Sequence, residues 1–175
     1  MIEKDNVDAI CRGEGETYFL ELIEKLEKNK DFYEIKNFWF KKKDGSIVKN
    51  SMGTLVPNLD AAPPPDRQLM YGADKSLKAR GTKLFMATRG CPYQCTYCFN
   101  HAYNALTKGK GEMIRSRSVD SMIQEIKEVK DNYFMDMVNI DDDIFLLKPK
   151  GWLEEFAEKY PKEIGLPLYC NVRPE

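Results

Sequence analysis

Three of the chain's five cysteines, Cys91, Cys95 and Cys98, fall in the stretch RGCPYQCTYCFN (89–100), directly ahead of the only histidine, His101. Thiolates spaced C-x3-C-x2-C on one loop can reach neighbouring corners of a single iron–sulfur cubane. Such clusters usually take four cysteines, so a loop that offers three leaves one iron open to a different ligand. An open iron is a place to do chemistry. The alternative is structural zinc with His101 as the fourth ligand, the mark of a small interaction module. Structural zinc sites usually draw on two ligand pairs set apart by a longer loop, whereas this set is confined to residues 91–101. A plain iron–sulfur electron carrier would normally bring four cysteines to its cluster. Cys11 and Cys170 stand alone among apolar residues and read as core filler.

The elements that must position this loop follow from periodicity. VDAIC (7–11) reads as a short strand, and RGEGE turns it into a helix over 16–28, where Phe19, Leu22, Ile23 and Leu26 share one apolar face. NFWFKKKDGSIVKN (37–50) alternates around a Lys-Asp-Gly turn, which predicts a hairpin bridging two domains. VPNLDAAPPPDRQ (56–68) is too rich in proline to continue a helix or a central strand and reads as an extended linker.

Beyond the linker, strand and helix alternate. KLFMATRG (83–90) is a strand running into the cysteines, and Ser118 caps a helix marked by Val119, Met122, Ile123, Ile126 and Val129. FMDMVNI (134–140) is apolar enough for a strand covered on both faces. Leu153, Phe156, Ala157 and Tyr160 mark the next helix, and LPLYCNV (166–172) a third strand. This alternation predicts parallel strands with right-handed crossovers, and it puts the cysteines and the acidic run Asp141–Asp143 at strand C-terminal ends. Three strands make less than half a barrel, so the chain reads as a fragment.

Composition bounds the partners. With 27 Lys and Arg against 28 Asp and Glu, the chain lacks the basic excess of a general nucleic-acid or membrane-surface binder. It contains no apolar run of about 18 residues and no signal-peptide pattern, so the expected compartment is the cytoplasm, where thiols stay reduced. Gly13 and Gly15 form no dinucleotide fingerprint, because Tyr18 stands where a third glycine is needed; they read as a flexible turn. Lys108, Lys110, Arg115 and Arg117 read as a solvated loop ahead of a helix cap, and Lys41–Lys43 as a solvated hairpin tip.

RGCPYQCTYCFN, with the aromatic Tyr97 before its third cysteine, resembles the signature of the radical S-adenosylmethionine (SAM) superfamily. In order along the chain, VDAICRGEGE is similar to the end of the cobalamin-binding domain of one large branch, and NLDAAPPPDR to its connector. RSRSVDSMIQEI is similar to its first barrel helix, and NIDDDIFLL to the acidic end of its second strand. The resemblance implies that Cys91, Cys95 and Cys98 ligate a [4Fe-4S] cluster, that the amino and carboxylate groups of SAM chelate the fourth iron, and that Tyr97 lies near the adenine. It implies reductive cleavage of SAM to methionine and a 5′-deoxyadenosyl radical, with the hard chemistry belonging to the cofactors.

Where many members carry Gly-Gly-Glu for the SAM amino group, this chain has three aspartates, of which Asp142 and Asp143 are the expected acceptors; Arg173 is the expected partner of the SAM carboxylate. The D-x-H-x-x-G cobalamin motif is absent, since His101 is the sole histidine, and cobalamin is expected only in a longer parent protein. The expected fold is α/β: the tail of a Rossmann-like cobalamin-binding domain (1–30), a hairpin and Pro-rich linker (31–80), and the first three strands of a partial (βα) TIM-like barrel (81–175). The expected activity is radical methyl transfer, with ring formation or methylthiotransfer as alternatives; the latter lacks ligands for a second cluster. The expected partners are a small-molecule or peptide substrate and an electron donor of flavodoxin or ferredoxin type.

Overall fold

A computed structural model describes residues 1–173. The chain runs β1 (Ala9–Cys11), α1 (Glu16–Glu27), β2 (Phe38–Lys41), β3 (Ile47–Lys49), α2 (Arg67–Ala73), α3 (Lys75–Ala79), β4 (Thr82–Phe85), β5 (Thr88–Arg89), α4 (Asn100–Leu106), β6 (Arg115–Ser116), α5 (Val119–Asn132), β7 (Met137–Ile140), α6 (Trp152–Glu163) and β8 (Leu168–Cys170). It divides into two compact units, one of residues 1–57 with 93–113, the other of residues 58–92 with 114–175. No helix among the described residues is long and apolar enough to cross a membrane.

In the first unit β1, β2 and β3 form an antiparallel sheet in that order, with Ala9 opposite Phe40 and Phe40 opposite Val48. The hairpin therefore completes a sheet with β1 and does not bridge domains, because the backbone of β2 pairs on both edges. Leu22 of α1 packs with Ile35, Phe38 and Phe40, and the Phe32 ring meets Phe40 edge-on at 5.3 Å. Phe19, Leu20, Ile23 and Leu26 stay exposed, so most of the apolar face of α1 finds no cover among the described residues. The turn into α1 needs Gly13 at φ 77°, a left-handed conformation that glycine adopts without strain. Cys11 is exposed, against the core-filling expectation, because it sits at the end of β1 with its side chain outside the cluster.

In the second unit β4, β7 and β8 are parallel in the order β4-β7-β8, with Leu84, Asn139 and Tyr169 in one row across the sheet. Ser118 caps α5 as expected, its hydroxyl accepting from Ser121 N. Val119, Met122, Ile123, Ile126 and Val129 of α5, and Trp152, Phe156 and Tyr160 of α6, bury against Phe85, Val138 and Ile140. Each such side chain contributes roughly 1.5–3 kcal/mol relative to exposure. Both helices thus cover one face of the sheet, as right-handed crossovers that advance in one direction require. The other face carries Leu84, Met137 and Tyr169 exposed. Hence β7 is covered on one side, where its near-continuous apolar run had suggested two.

The chain departs from the expected elements at two further places. Residues 83–90 form two short strands in different sheets. Within the stretch read as hairpin and Pro-rich linker (31–80) stand two helices, α2 and α3, started by Asp66 and Asp74, whose side chains accept from Leu69 N and from Ser76 N and Leu77 N.

Candidate functional site

The second unit's site lies where β4, β7 and β8 end. The ladder between β4 and β7 closes with Asp141 N donating to Phe85 O at 2.8 Å. At the next step a side chain replaces the strand. Asp142 Oδ1 accepts from Ala87 N at 2.8 Å and Thr88 N at 2.9 Å, and the chain swings away to pair β5 with β6, Thr88 opposite Ser116. This is why 83–90 breaks in two.

Asp142 itself is 1% exposed. Its Oδ2 lies 2.5 Å from Lys148 Nζ, and neither side chain has solvent exposure. Lys148 also donates to Thr88 Oγ1 and stands over the rings of Phe145 and Trp152, 4.9 and 5.0 Å from their centroids. Burial pushes the Lys148 ammonium below lysine's usual range, with the hydrogen bond and charge of Asp142 opposing. Burial likewise raises the Cys170 thiol, and Asp142 adds to that rise. Asn171 Nδ2 donates to Asp142 O at 3.1 Å, and Phe145 N to Asn171 O at 2.8 Å, which ties the end of β8 to the same knot.

From β5 the chain passes Gly90, at φ 95°, to Cys91, which is buried. Cys95 and Cys98 belong to the first unit and are half-buried; Cys98 N donates to Cys95 O at 3.0 Å, and α4 follows. No disulfide joins any of the five cysteines. Among the described residues no three His, Cys, Asp or Glu side chains converge as ligands of one metal ion.

The expected site residues divide accordingly. Tyr97 is 91% exposed, so its ring is presented rather than packed. Asp143 and Arg173 are exposed. Asp142 does hold an ammonium group, but it is that of Lys148; with both oxygens taken and no exposure, it is not the open acceptor that the sequence suggested. Arg115 and Arg117 are no solvated loop either. Arg115 is buried, and Arg117 pairs with Glu125 and donates to Ser121 O at 3.1 Å. The sequence reading missed Thr88, Phe145, Lys148 and Trp152. The one available signal was a lysine five residues beyond an acidic run and flanked by aromatics, which only the folded loop brings together.

No protein-family model matches the chain. It is 32% identical over 152 residues to an uncharacterised methyltransferase of Pyrococcus horikoshii, covering 86% of this chain and 31% of that protein. It is 29% identical over 96 residues to the cobalamin-dependent radical SAM methyltransferase TokK of Streptomyces tokunonensis, covering 53% of this chain and 14% of TokK. Its fold matches that of the radical SAM methyltransferase TsrM from Kitasatospora setae, a structure with cobalamin and a [4Fe-4S] cluster bound, at a TM-score of 0.67 and 17% identity, over 99% of this chain and 35% of that one. The chain is a homologue of the cobalamin-dependent radical SAM methyltransferases. It spans about a third or less of the length of these relatives.

Proposed function

We propose that this chain is the cluster-bearing part of a radical SAM enzyme whose reaction is cobalamin-dependent methyl transfer begun by reductive cleavage of SAM. One observation carries the reading: a C-x3-C-x2-C motif follows directly on β5 in a homologue of such enzymes, whose second unit has parallel strands wound with their helices on one face. The donor set fits the group, since three thiols without a disulfide supply three of a cubane's four ligand positions. Bound there, the cluster and SAM would supply the electron transfer and the radical that open the reaction.

The chain's own residues supply placement. Cys91, Cys95 and Cys98 would each hold one iron. The exposed ring of Tyr97 offers an apolar face to the adenine. Asp143 accepts hydrogen bonds from the SAM ammonium, and Arg173 pairs with its carboxylate. In this reading the second unit is the start of a partial (βα) barrel and residues 1–30 the tail of a Rossmann-like cobalamin-binding domain. A flavodoxin- or ferredoxin-type protein delivers the electron to reduce the cluster, and the substrate is a small molecule or a peptide.

Anaerobic purification followed by iron, sulfide and zinc analysis of the chain and of Cys95→Ala tests the reading. The expected result is brown protein with about four irons and four sulfides per chain, most of both lost in the variant. Colourless protein with one zinc per chain would instead establish the interaction module.

A further inference from the structure

The buried Lys148 and the acidic pair partner it holds have no part in the chemistry proposed above, yet they sit directly under the strand that delivers Cys91. A buried ion pair is poor value for stability alone, because desolvation consumes most of its Coulombic gain. This one is caged on every side: the carboxylate by two amides of the strand, Ala87 N and Thr88 N, and the ammonium by the Thr88 hydroxyl and the Phe145 and Trp152 rings. Thr88 Oγ1 also lies 3.1 Å from Ser116 Oγ, so the pair reaches β6 as well as β5. Trp152 Nε1 donates to Arg117 O at 2.7 Å, fixing the cage wall itself. Thr88 is the common point of these contacts, and only Arg89 and Gly90 separate it from Cys91.

We propose that Asp142 and Lys148 are positioning residues for the first cluster cysteine: the pair breaks the strand after Phe85 and anchors Thr88, so that Cys91 is held at a fixed exit angle before any cluster is present. This rests on the reading of Cys91 as a ligand. It assigns Asp142 a role other than contact with SAM, one in which the ammonium accepted is the chain's own.

The test compares two double variants that remove both charges and so leave no buried ion unpaired. Asp142→Ala/Lys148→Met deletes the acceptor; Asp142→Asn/Lys148→Met keeps an amide oxygen for Ala87 N and Thr88 N. In metal-free protein, amide exchange at Ala87 and Thr88 and alkylation of Cys91 are followed by mass spectrometry, with Cys11 as the exposed control. The alanine variant is expected to speed both by about tenfold or more, as local opening does, with Cys11 unchanged, and the asparagine variant to restore most of the protection. If the alanine variant does not fold, Thr88→Val, which keeps the ion pair but loses its hydroxyl anchor, is expected to raise Cys91 alkylation about threefold by the same local opening. Equal Cys91 and amide protection in wild type and in every variant that folds would overturn the proposal. Wild-type protein that takes up no iron and sulfide would defeat the cluster reading instead, a result separate from the protection measurement.

Discussion

Arg67 of α2 and Glu125 of α5 form an ion pair, Nη2 to Oε1 at 2.8 Å, across 58 residues of chain with both side chains largely buried. Arg67 Nη2 also donates to Leu84 O at 2.8 Å, and Arg117 takes the other Glu125 oxygen. A single carboxylate thus ties the segment after the proline run, strand β4 and helix α5 together. Removing it would leave two guanidinium groups in a poorly solvated place. Glu125→Ala is expected to cost about 3–5 kcal/mol, the usual loss when one partner of a buried pair is deleted. Urea unfolding measures it, and a loss below about 1 kcal/mol, the value of an exposed pair, would show that the three groups are solvated.

Gly90 stands at φ 95° one residue before Cys91. An alanine there carries a Cβ into a backbone region that costs about 1–2 kcal/mol for L-residues. Gly90→Ala is therefore expected to lower stability by that order and to reduce iron uptake per chain, since the strain relaxes by moving Cys91. Unchanged iron content with an unchanged unfolding midpoint would mean that the turn tolerates a side chain.

Tyr97 packs against almost nothing. Tyr97→Ala should change folding stability by no more than about 0.5 kcal/mol, as surface substitutions usually do, while weakening SAM binding to the reconstituted protein. Equilibrium dialysis with labelled SAM reads the second effect; equal affinity in both proteins would remove Tyr97 from the adenine site.

The Tyr160 phenol donates to Leu166 O at 2.9 Å, and burial pushes its pKa from 10.0 up to about 12. Because the folded value lies above the unfolded one, the contribution of the protonated phenol is complete below pH 10.0 and is lost as pH rises from there through about 12. Wild type should exceed Tyr160→Phe in stability by a constant margin at neutral pH, and that margin should shrink over this alkaline window. A margin independent of pH up to 12 would contradict the buried, protonated phenol.

Much of this architecture was legible in the sequence. Helix α5 was marked by its cap and by five apolar residues that all bury, and the hairpin by its Lys-Asp-Gly turn. What stayed hidden depends on contacts distant in sequence. The break after Phe85 arises from a carboxylate 55 residues further on, to which no local propensity points. Arg115 is buried and stands opposite Arg89 in the β5–β6 pair, which joins two short segments either side of the cysteine loop. The cysteines themselves were plain, since their spacing is local. The acidic run was read as one kind of group, but folding separates it into a buried anchor, Asp142, and exposed neighbours, Asp141 and Asp143.

In the proposed cluster, three cysteines leave one iron for SAM. Electron paramagnetic resonance of the anaerobically reconstituted, reduced chain, recorded with and without SAM, tests it most directly. A reduced cluster whose signal shifts on adding SAM, with the shift lost in Cys91→Ala, Cys95→Ala and Cys98→Ala, is the predicted result. A cluster signal indifferent to SAM, or protein that binds zinc and shows no such signal, would contradict it.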